Sequence, residues 1–204
     1  MPTASRGEQV TCACCEESPG GETESVRLAC LALLVASVLA AGPAAANFDS
    51  RSLVLRGVDV PSGYRLDPRE SGVRANDGAS VHATEHALYS RSARITGYEA
   101  TYRRVSTYIR SRADLFRAPG GPKLVLDWFD AETKRSGIKG LRRGPAGIGT
   151  ESWIYWGGRG PTSINLVAWR QGRAFAGIVG FGVTKRQTLE LARVQQRRIV
   201  AALR

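Results

Sequence analysis

Residues 94–117 read RITGYEATYRRVSTYIRSRADLFR, and this stretch decides the fold. Its side chains alternate, since Tyr98, Ala100 and Tyr102 share one face while Glu99, Thr101 and Arg103 share the other. Beyond Ser106 the alternation resumes, with Ile109, Ser111, Ala113 and Leu115 together and Arg110, Arg112 and Asp114 opposite. A period of two indicates β-strands with one buried face. We therefore predict two strands, at 94–105 and 107–117.

The flanking sequence predicts helices and further strands around this pair. A helix is expected at about 80–91, and an amphipathic one from Pro122 to near Gly137 with Leu124, Val125, Trp128 and Phe129 on its packed face. Strands are expected at 151–156, 163–170 and 174–181, and a turn-rich start at 53–66 and a Gly-rich loop at 140–149 complete the pattern. This order predicts an α+β fold, an antiparallel sheet of about five strands packed with two to three helices.

Two short motifs mark the end of the chain. Gln171-Gly172 separates the last two strands and suits a tight hairpin turn. Thr184 followed by Gln187 is a capping box, which predicts the start of a closing helix that packs Leu189, Ala192, Ile199 and Leu203 on one side.

The first 46 residues differ from the rest of the chain. Residues 28–46, LACLALLVASVLAAGPAAA, carry no charge and end in small residues, which predicts a signal peptide over 26–46 with cleavage after Ala46. A membrane anchor is the alternative, because about 20 apolar residues can span a bilayer. Residues 1–25 hold five glutamates and one arginine, unlike a signal peptide's basic start, so we expect translation to begin at Val26 and treat them as a doubtful leader.

Composition changes sharply at this boundary. The whole chain has 204 residues and a formal charge of +11, but residues 1–46 contain two arginines and five glutamates. Residues 47–204 therefore carry 27 basic and 13 acidic residues, a charge of +14, and none of the four cysteines. The prediction is a single secreted domain over 47–204 that needs no disulfide or thiolate metal site.

Five short motifs stand out between Leu53 and Arg204. They are Asp59-Val60-Pro61-Ser62-Gly63-Tyr64, Gly97-Tyr98 with Tyr102, Trp128-Phe129, Arg170-Gln171-Gly172, and Leu191-Ala192 with Gln195 and Arg198. In these motifs and their order the chain resembles a family of secreted α+β domains seen in actinobacteria. In outline such domains are similar to the PsbP-like sandwich of a photosystem subunit and to the extracellular sensor domains of some bacterial kinases. The resemblance implies a fold and an extracytoplasmic location, and no chemistry.

Aromatic residues supply the first candidate site. They could line an apolar ligand pocket between the sheet and the middle helix, beside glycines that suit a pocket mouth, although aromatics at this spacing also build cores. The set comprises Trp128, Trp153, Tyr155, Trp156 and Trp169.

Arginines supply the second candidate. On two adjacent strands and the following loop they could bind phosphate or other anions, or they could form an ordinary solvated surface. The set comprises Arg103, Arg104, Arg110, Arg112, Arg142 and Arg143, with Arg117, Arg193, Arg197 and Arg198 as further basic positions.

The third candidate is His82-Ala83-Thr84-Glu85-His86, which contains the chain's two histidines. On a helix, His82 and His86 lie one turn apart and could hold zinc with Glu85 as a base, as in H-x-x-E-H metallopeptidases. The required third ligand is not marked by any spacing, and Glu151 or Glu190 would be guesses. An amphipathic surface helix is the preferred interpretation.

Together these patterns favour an extracytoplasmic domain that acts without catalysis, as a binding or cell-envelope-associated protein with no cofactor. We expect a small or anionic ligand, with the cell envelope or an anionic lipid surface as a further partner, and we do not expect nucleic acid. Two alternatives remain open: binding of anionic polymers or lipids through the arginines, and zinc-dependent hydrolysis at His82 and His86.

Overall fold

The computed structural model describes residues 49–74 and 83–204. The predicted leader at 1–25 and the predicted signal peptide at 26–46 lie outside these residues, as does His82. No helix within the described ranges combines the length and apolar character needed to cross a membrane.

Eight strands form one antiparallel sheet. They are β1 (Arg65–Leu66), β2 (Gly72–Val73), β3 (Arg94–Arg104), β4 (Thr107–Phe116), β5 (Arg142–Pro145), β6 (Glu151–Gly157), β7 (Ile164–Gln171) and β8 (Ala174–Phe181). Their order is β1-β3-β4-β8-β7-β6-β5, and β2 also pairs with β3. The antiparallel α+β fold is confirmed, with the five expected strands among these eight.

The expected number of strands was too low for a physical reason. β1 and β2 have two residues each, and β5 has four, Arg142-Arg143-Gly144-Pro145, in the segment expected to be a loop. All three lie at the edges of the sheet, where charged residues, glycine and proline are common. Such strands show no apolar alternation, so only their hydrogen bonds to a longer neighbour define them.

Helices cover both faces of this sheet. Helices α1 (Ala83–Ser92) and α2 (Gly120–Arg135) lie on one face, and α3 (Lys185–Ala202) lies on the other with short 3-10 turns at Ser50–Leu53 and Gly57–Asp59. Two buried clusters result. Trp169, Ile178, Leu191 and Ile199 belong to the cluster under α3, while Phe116, Leu126, Ala168 and Phe175 belong to the cluster under α1 and α2.

The predicted local motifs appear at their expected places. Thr184 accepts the backbone N–H of Gln187, and the Gln187 side chain accepts that of Thr184, so the capping box is confirmed. Gly172 has φ +53° in the hairpin turn, a conformation that glycine adopts at low cost. Leu124, expected on the packed face of α2, is instead 48% exposed, and Leu126 is buried in its place.

Candidate functional site

The open part of the sheet lies beside the second half of α2. This helix contacts β7, β8 and β4, and it packs on a cluster that includes the buried Ala168 and Phe175. Strand register places Leu166 beside Val179 and Val179 beside Arg110, with Ile164 and Phe181 forming the next row. These apolar side chains are half-buried, and they point to the same face as α2.

A cleft of about 820 Å³ lies between this helix and the open strands. Its apolar walls are Trp128, Phe129 and Ile138 on the helical side and Ile164 and Leu166 on β7. Its polar lining consists of Arg112 on β4 and of Glu132, Thr133, Arg135 and Ser136 at the end of α2. Volume and lining both match a small-molecule site, which is typically a concave apolar space with a few polar groups.

The sheet separates the five aromatic residues predicted from the sequence. Trp128 lines the cleft, Trp153 packs against the buried cluster under α2, and the buried Tyr155 donates a hydrogen bond to Asp130 of α2. Trp156 and Trp169 belong to the opposite face, where Trp169 is 0% exposed and donates to Gln196. One pocket therefore cannot contain all five, and only Trp128 touches the cleft.

The cleft walls missed by the sequence analysis are aliphatic. Ile164 and Leu166 alternate with the buried Asn165 and Val167 in β7, a pattern that a strand covered on both faces also shows. Which of its two faces stays open depends on where α2 ends. No signal in the sequence of β7 gives that position.

Three of the six predicted arginines, Arg103, Arg110 and Arg112, are paired with carboxylates in one network. Five arginines and five carboxylates within the described ranges form one ion-pair network. Each member pairs with the next in the order Asp67, Arg103, Glu70, Arg110, Glu99, Arg74, Glu85, Arg112, Asp114 and Arg94. Its formal charge is zero. Half of the arginines that the sequence suggested as anion-binding residues are therefore neutralised by carboxylates of the protein itself.

Asp114 is the most deeply buried member of this network. Burial by itself raises the pKa of the Asp114 carboxyl, but the Arg112 and Arg94 guanidiniums outweigh burial and hold that pKa below its usual range. Arg112 Nε donates to Asp114 Oδ2 over 2.6 Å, and Arg94 Nε donates to Asp114 Oδ1 over 2.8 Å. The carboxylate is thus ionised and fixes both arginines.

The remaining predicted arginines differ in their environment. Arg143 lies 3.4 Å above the Trp153 ring and donates to Asp130, so it joins β5 to α2. Arg104 stacks over Tyr64, and both Arg104 and Arg142 are exposed with no ion pair inside the described ranges. Among the six predicted arginines, these two have a charge that no carboxylate of the described ranges offsets.

Glu85, the base of the proposed zinc motif, is an interior member of the ion-pair network. Its Oε1 lies 2.9 Å from Arg74 Nη2 and 2.9 Å from Arg112 Nη1, and it also accepts the Tyr89 hydroxyl. The guessed third ligands are paired elsewhere, Glu151 with Arg170 and Glu190 with Arg186. The described ranges contain no group of three or more metal-ligating side chains.

Comparison with known proteins finds similarity in structure alone. No protein-family model matches the chain, and no curated protein matches it. Among solved structures, the chain is similar to the extracellular domain of PknH from Mycobacterium tuberculosis, with a TM-score of 0.51 and 9% identity over 76% of this chain and 97% of that domain. The two proteins share a fold. The expected resemblance to extracellular kinase domains is confirmed at that level, and the PsbP-like comparison stays a prediction.

Proposed function

We propose that this protein is an extracytoplasmic, non-enzymatic domain that binds an apolar small molecule in the cleft between α2 and strand β7. The observation that carries this proposal is the cleft itself, about 820 Å³ with Trp128, Phe129, Ile164 and Leu166 in its walls. Apolar surface of this kind costs free energy when it is left in water, so occupation by an apolar ligand is favourable.

Two further observations support the proposal. The titratable groups that line the cleft are engaged in ion pairs, Arg112 with Glu85 and Asp114, and Arg135 with Glu132, as expected of a structural framework. The extracytoplasmic location is supported by the fold shared with the extracellular domain of PknH, and by the signal peptide predicted at 26–46.

Binding of an uncharged fluorescent probe tests this proposal. N-phenyl-1-naphthylamine should bind the domain at 47–204 with enhanced emission, and Leu166→Asp should abolish that binding because it places a charge in the apolar wall. Leu124→Asp is the matched control, since Leu124 is on α2 but is 48% exposed and outside the cleft. Equal probe binding by both variants, each folded by circular dichroism, would contradict the proposal.

A further inference from the structure

We infer that the ligand is an amphiphile, with an aliphatic chain in the cleft and one acidic group bound by Arg110 beside Arg112. This inference rests on the proposed function and names the chemical class of the ligand. It depends on how the open face of the sheet joins the apolar cleft to the ion-pair network.

Strand register supplies the distance between the two ends of such a ligand. Leu166, Val179 and Arg110 are direct neighbours on β7, β8 and β4. Adjacent strands are separated by about 4.8 Å, so the apolar wall and the guanidinium-bearing strand are about 10 Å apart. Val179 continues the apolar surface between them, and an extended aliphatic chain can follow this row.

The next row of residues across these three strands has a glycine at its centre, which leaves a depression in the surface. Ala168, Gly177 and Arg112 occupy equivalent positions on the same three strands, and Gly177 has no side chain to fill the space above β8. A second cavity of about 220 Å³ opens there, lined by Gly177, Val179 and Arg110 among others. Arg112 and Phe129 line both cavities, so the two spaces adjoin.

The lining of the second cavity has a formal charge of +1, although the ion-pair network as a whole is neutral. It contains Arg74, Arg110 and Arg112 but only two carboxylates, Glu85 and Glu99, because Glu70 and Asp114 lie outside the lining. The buried Nε of Arg74 also has no hydrogen-bond partner in the described part of the chain. An acidic group of the ligand would add the acceptor oxygens that this site has in short supply.

Of the three arginines that line the second cavity, Arg110 is the most exposed, at 37% against 17% for Arg74 and Arg112. Its Nη2 lies 3.1 Å from Glu70 Oε2, and its Nε lies 3.4 Å from Glu99 Oε1. Each of these carboxylates also pairs with another arginine, Glu70 with Arg103 and Glu99 with Arg74, so both keep a cationic partner when an incoming acid binds Arg110. A guanidinium offers a planar fork of donors to a carboxylate or a phosphate, which makes the bond strong and directional.

The residues in the walls of the cleft indicate that the rest of the ligand is aliphatic. Ile138, Ile164, Leu166 and Val179 offer no hydrogen bond through their side chains, and the aromatic walls Trp128 and Phe129 are flat apolar surfaces. A sugar would leave several hydroxyl groups without partners on such walls, at a cost for each of them. A hydrocarbon chain has no such cost.

Displacement of N-phenyl-1-naphthylamine by three amphiphiles with equal chains tests the inference: palmitate, hexadecanol and hexadecyltrimethylammonium, each below its micelle concentration. Palmitate should bind wild type about tenfold tighter than hexadecanol, and the cationic amphiphile should bind most weakly. Arg110→Gln should remove the advantage of palmitate and leave hexadecanol unchanged. Arg110→Lys should keep only part of the palmitate advantage, because lysine retains the positive charge but lacks the planar set of N–H donors of a guanidinium.

Two further variants complete the design. Arg142→Gln makes the same change of charge outside the cleft and should leave all affinities unchanged. Gly177→Val should weaken palmitate and hexadecanol alike while the sheet stays folded, since a Cβ at Gly177 meets only Val167 O at 3.5 Å and valine favours strands.

The binding results distinguish failure of the acidic-amphiphile inference from failure of the proposed function. Equal affinities for palmitate and hexadecanol, with no effect of Arg110→Gln, would overturn the acidic amphiphile and leave apolar binding in the cleft intact. Failure of every amphiphile to displace the probe, together with unchanged probe binding by Gly177→Val and Leu166→Asp, would overturn both.

Discussion

Arg94 and Asp114 form an ion pair in which both side chains are 0% exposed. Their atoms meet directly above Gly97, where a Cβ would overlap the Arg94 guanidinium and the Asp114 carboxylate. The Tyr89 ring of α1 lies 4.4 Å from the same guanidinium. This pair therefore fixes α1 against β3 and β4 and holds the inner end of the ion-pair network.

Gly97→Ala should separate this pair and destabilise the protein. Breaking a buried ion pair leaves uncompensated charge in the interior, at a cost of about 3 kcal/mol or more in the free energy of unfolding. Gly72→Ala, in the adjacent strand β2, is the control because a Cβ there meets nothing within 4 Å. Urea unfolding measures both, and equal midpoints would show that the pair does not stabilise the fold.

Stability should fall in acid because Asp114 and Asp130, two of the carboxyls with a lowered pKa, are removed from solvent in the folded protein. In Asp114 the arginines outweigh burial, and in Asp130 burial is likewise outweighed by hydrogen bonds from Lys134 and Arg143. A carboxyl whose pKa is lower in the folded state stabilises the protein above its unfolded pKa, about 3.9 for Asp, and loses this contribution as pH falls toward the folded value. Unfolding free energy should therefore decrease between about pH 5 and pH 3.

Asp130→Asn isolates one part of this acid dependence. The variant cannot take up the proton, so its stability should change less steeply with pH below about pH 5 than that of wild type. Asp127→Asn alters an exposed carboxylate on the same helix and serves as the control. Thermal melts at several pH values measure the slopes, and identical slopes for Asp130→Asn and wild type would exclude Asp130 as a contributor.

Thr184→Ala should weaken the start of α3. The Thr184 hydroxyl accepts the Gln187 N–H, and loss of such a cap costs about 1 kcal/mol in the free energy of unfolding. Thr150→Ala removes an exposed hydroxyl outside any helix end and should leave stability nearly unchanged. Chemical denaturation compares the two, and a cap effect no larger than that of Thr150→Ala would contradict the assignment.

Binding to a polyanion should depend on the unpaired arginines. With heparin as the probe, Arg104→Ser and Arg142→Ser should each lower the salt concentration needed for elution, since each removes a charge available for counterion release. Arg103→Ser should have less effect, because Arg103 is already paired with Asp67 and Glu70. An equal decrease for all three variants would show that the ion pairs open on binding.

Chelation should leave the stability of the domain unchanged if Glu85 acts as a member of the ion-pair network. Arg74 and Arg112 hold its carboxylate, whereas a zinc site would need a free base beside its metal. A melting temperature that is equal with and without a chelator is therefore expected. A decrease, together with zinc in the untreated protein, would instead support the hydrolase alternative at His82 and His86.

Long, regular elements could be predicted from sequence, and edge elements could not. The alternation in β3 and β4 identifies which side chains are buried, and Ile109, Ser111 and Ala113 are buried as expected. β5 carries Gly144 and Pro145 and has no such pattern, so its pairing with β6 depends on the completed sheet.

In the candidate site, too, the position of a residue within one helix or strand could be predicted, but its neighbours on other strands could not. Sequence placed Trp128 on α2 and Arg110 and Arg112 on one face of β4, and both placements are confirmed. It could not show that Trp169 lies across the sheet from Trp128, because that depends on the register of β6, β7 and β8.

By itself, the sequence determined the antiparallel α+β fold, the charge of +14 over residues 47–204 and the separate character of the first 46 residues, because these follow from periodicity and composition. Only the tertiary structure decided which arginines are neutralised and where the cleft opens. Carboxylates distant in sequence, such as Glu70 and Glu85, meet Arg110 and Arg112 once the sheet is assembled. Both features depend on which side chains from distant parts of the sequence become neighbours in the folded chain, and a local sequence pattern does not contain that information.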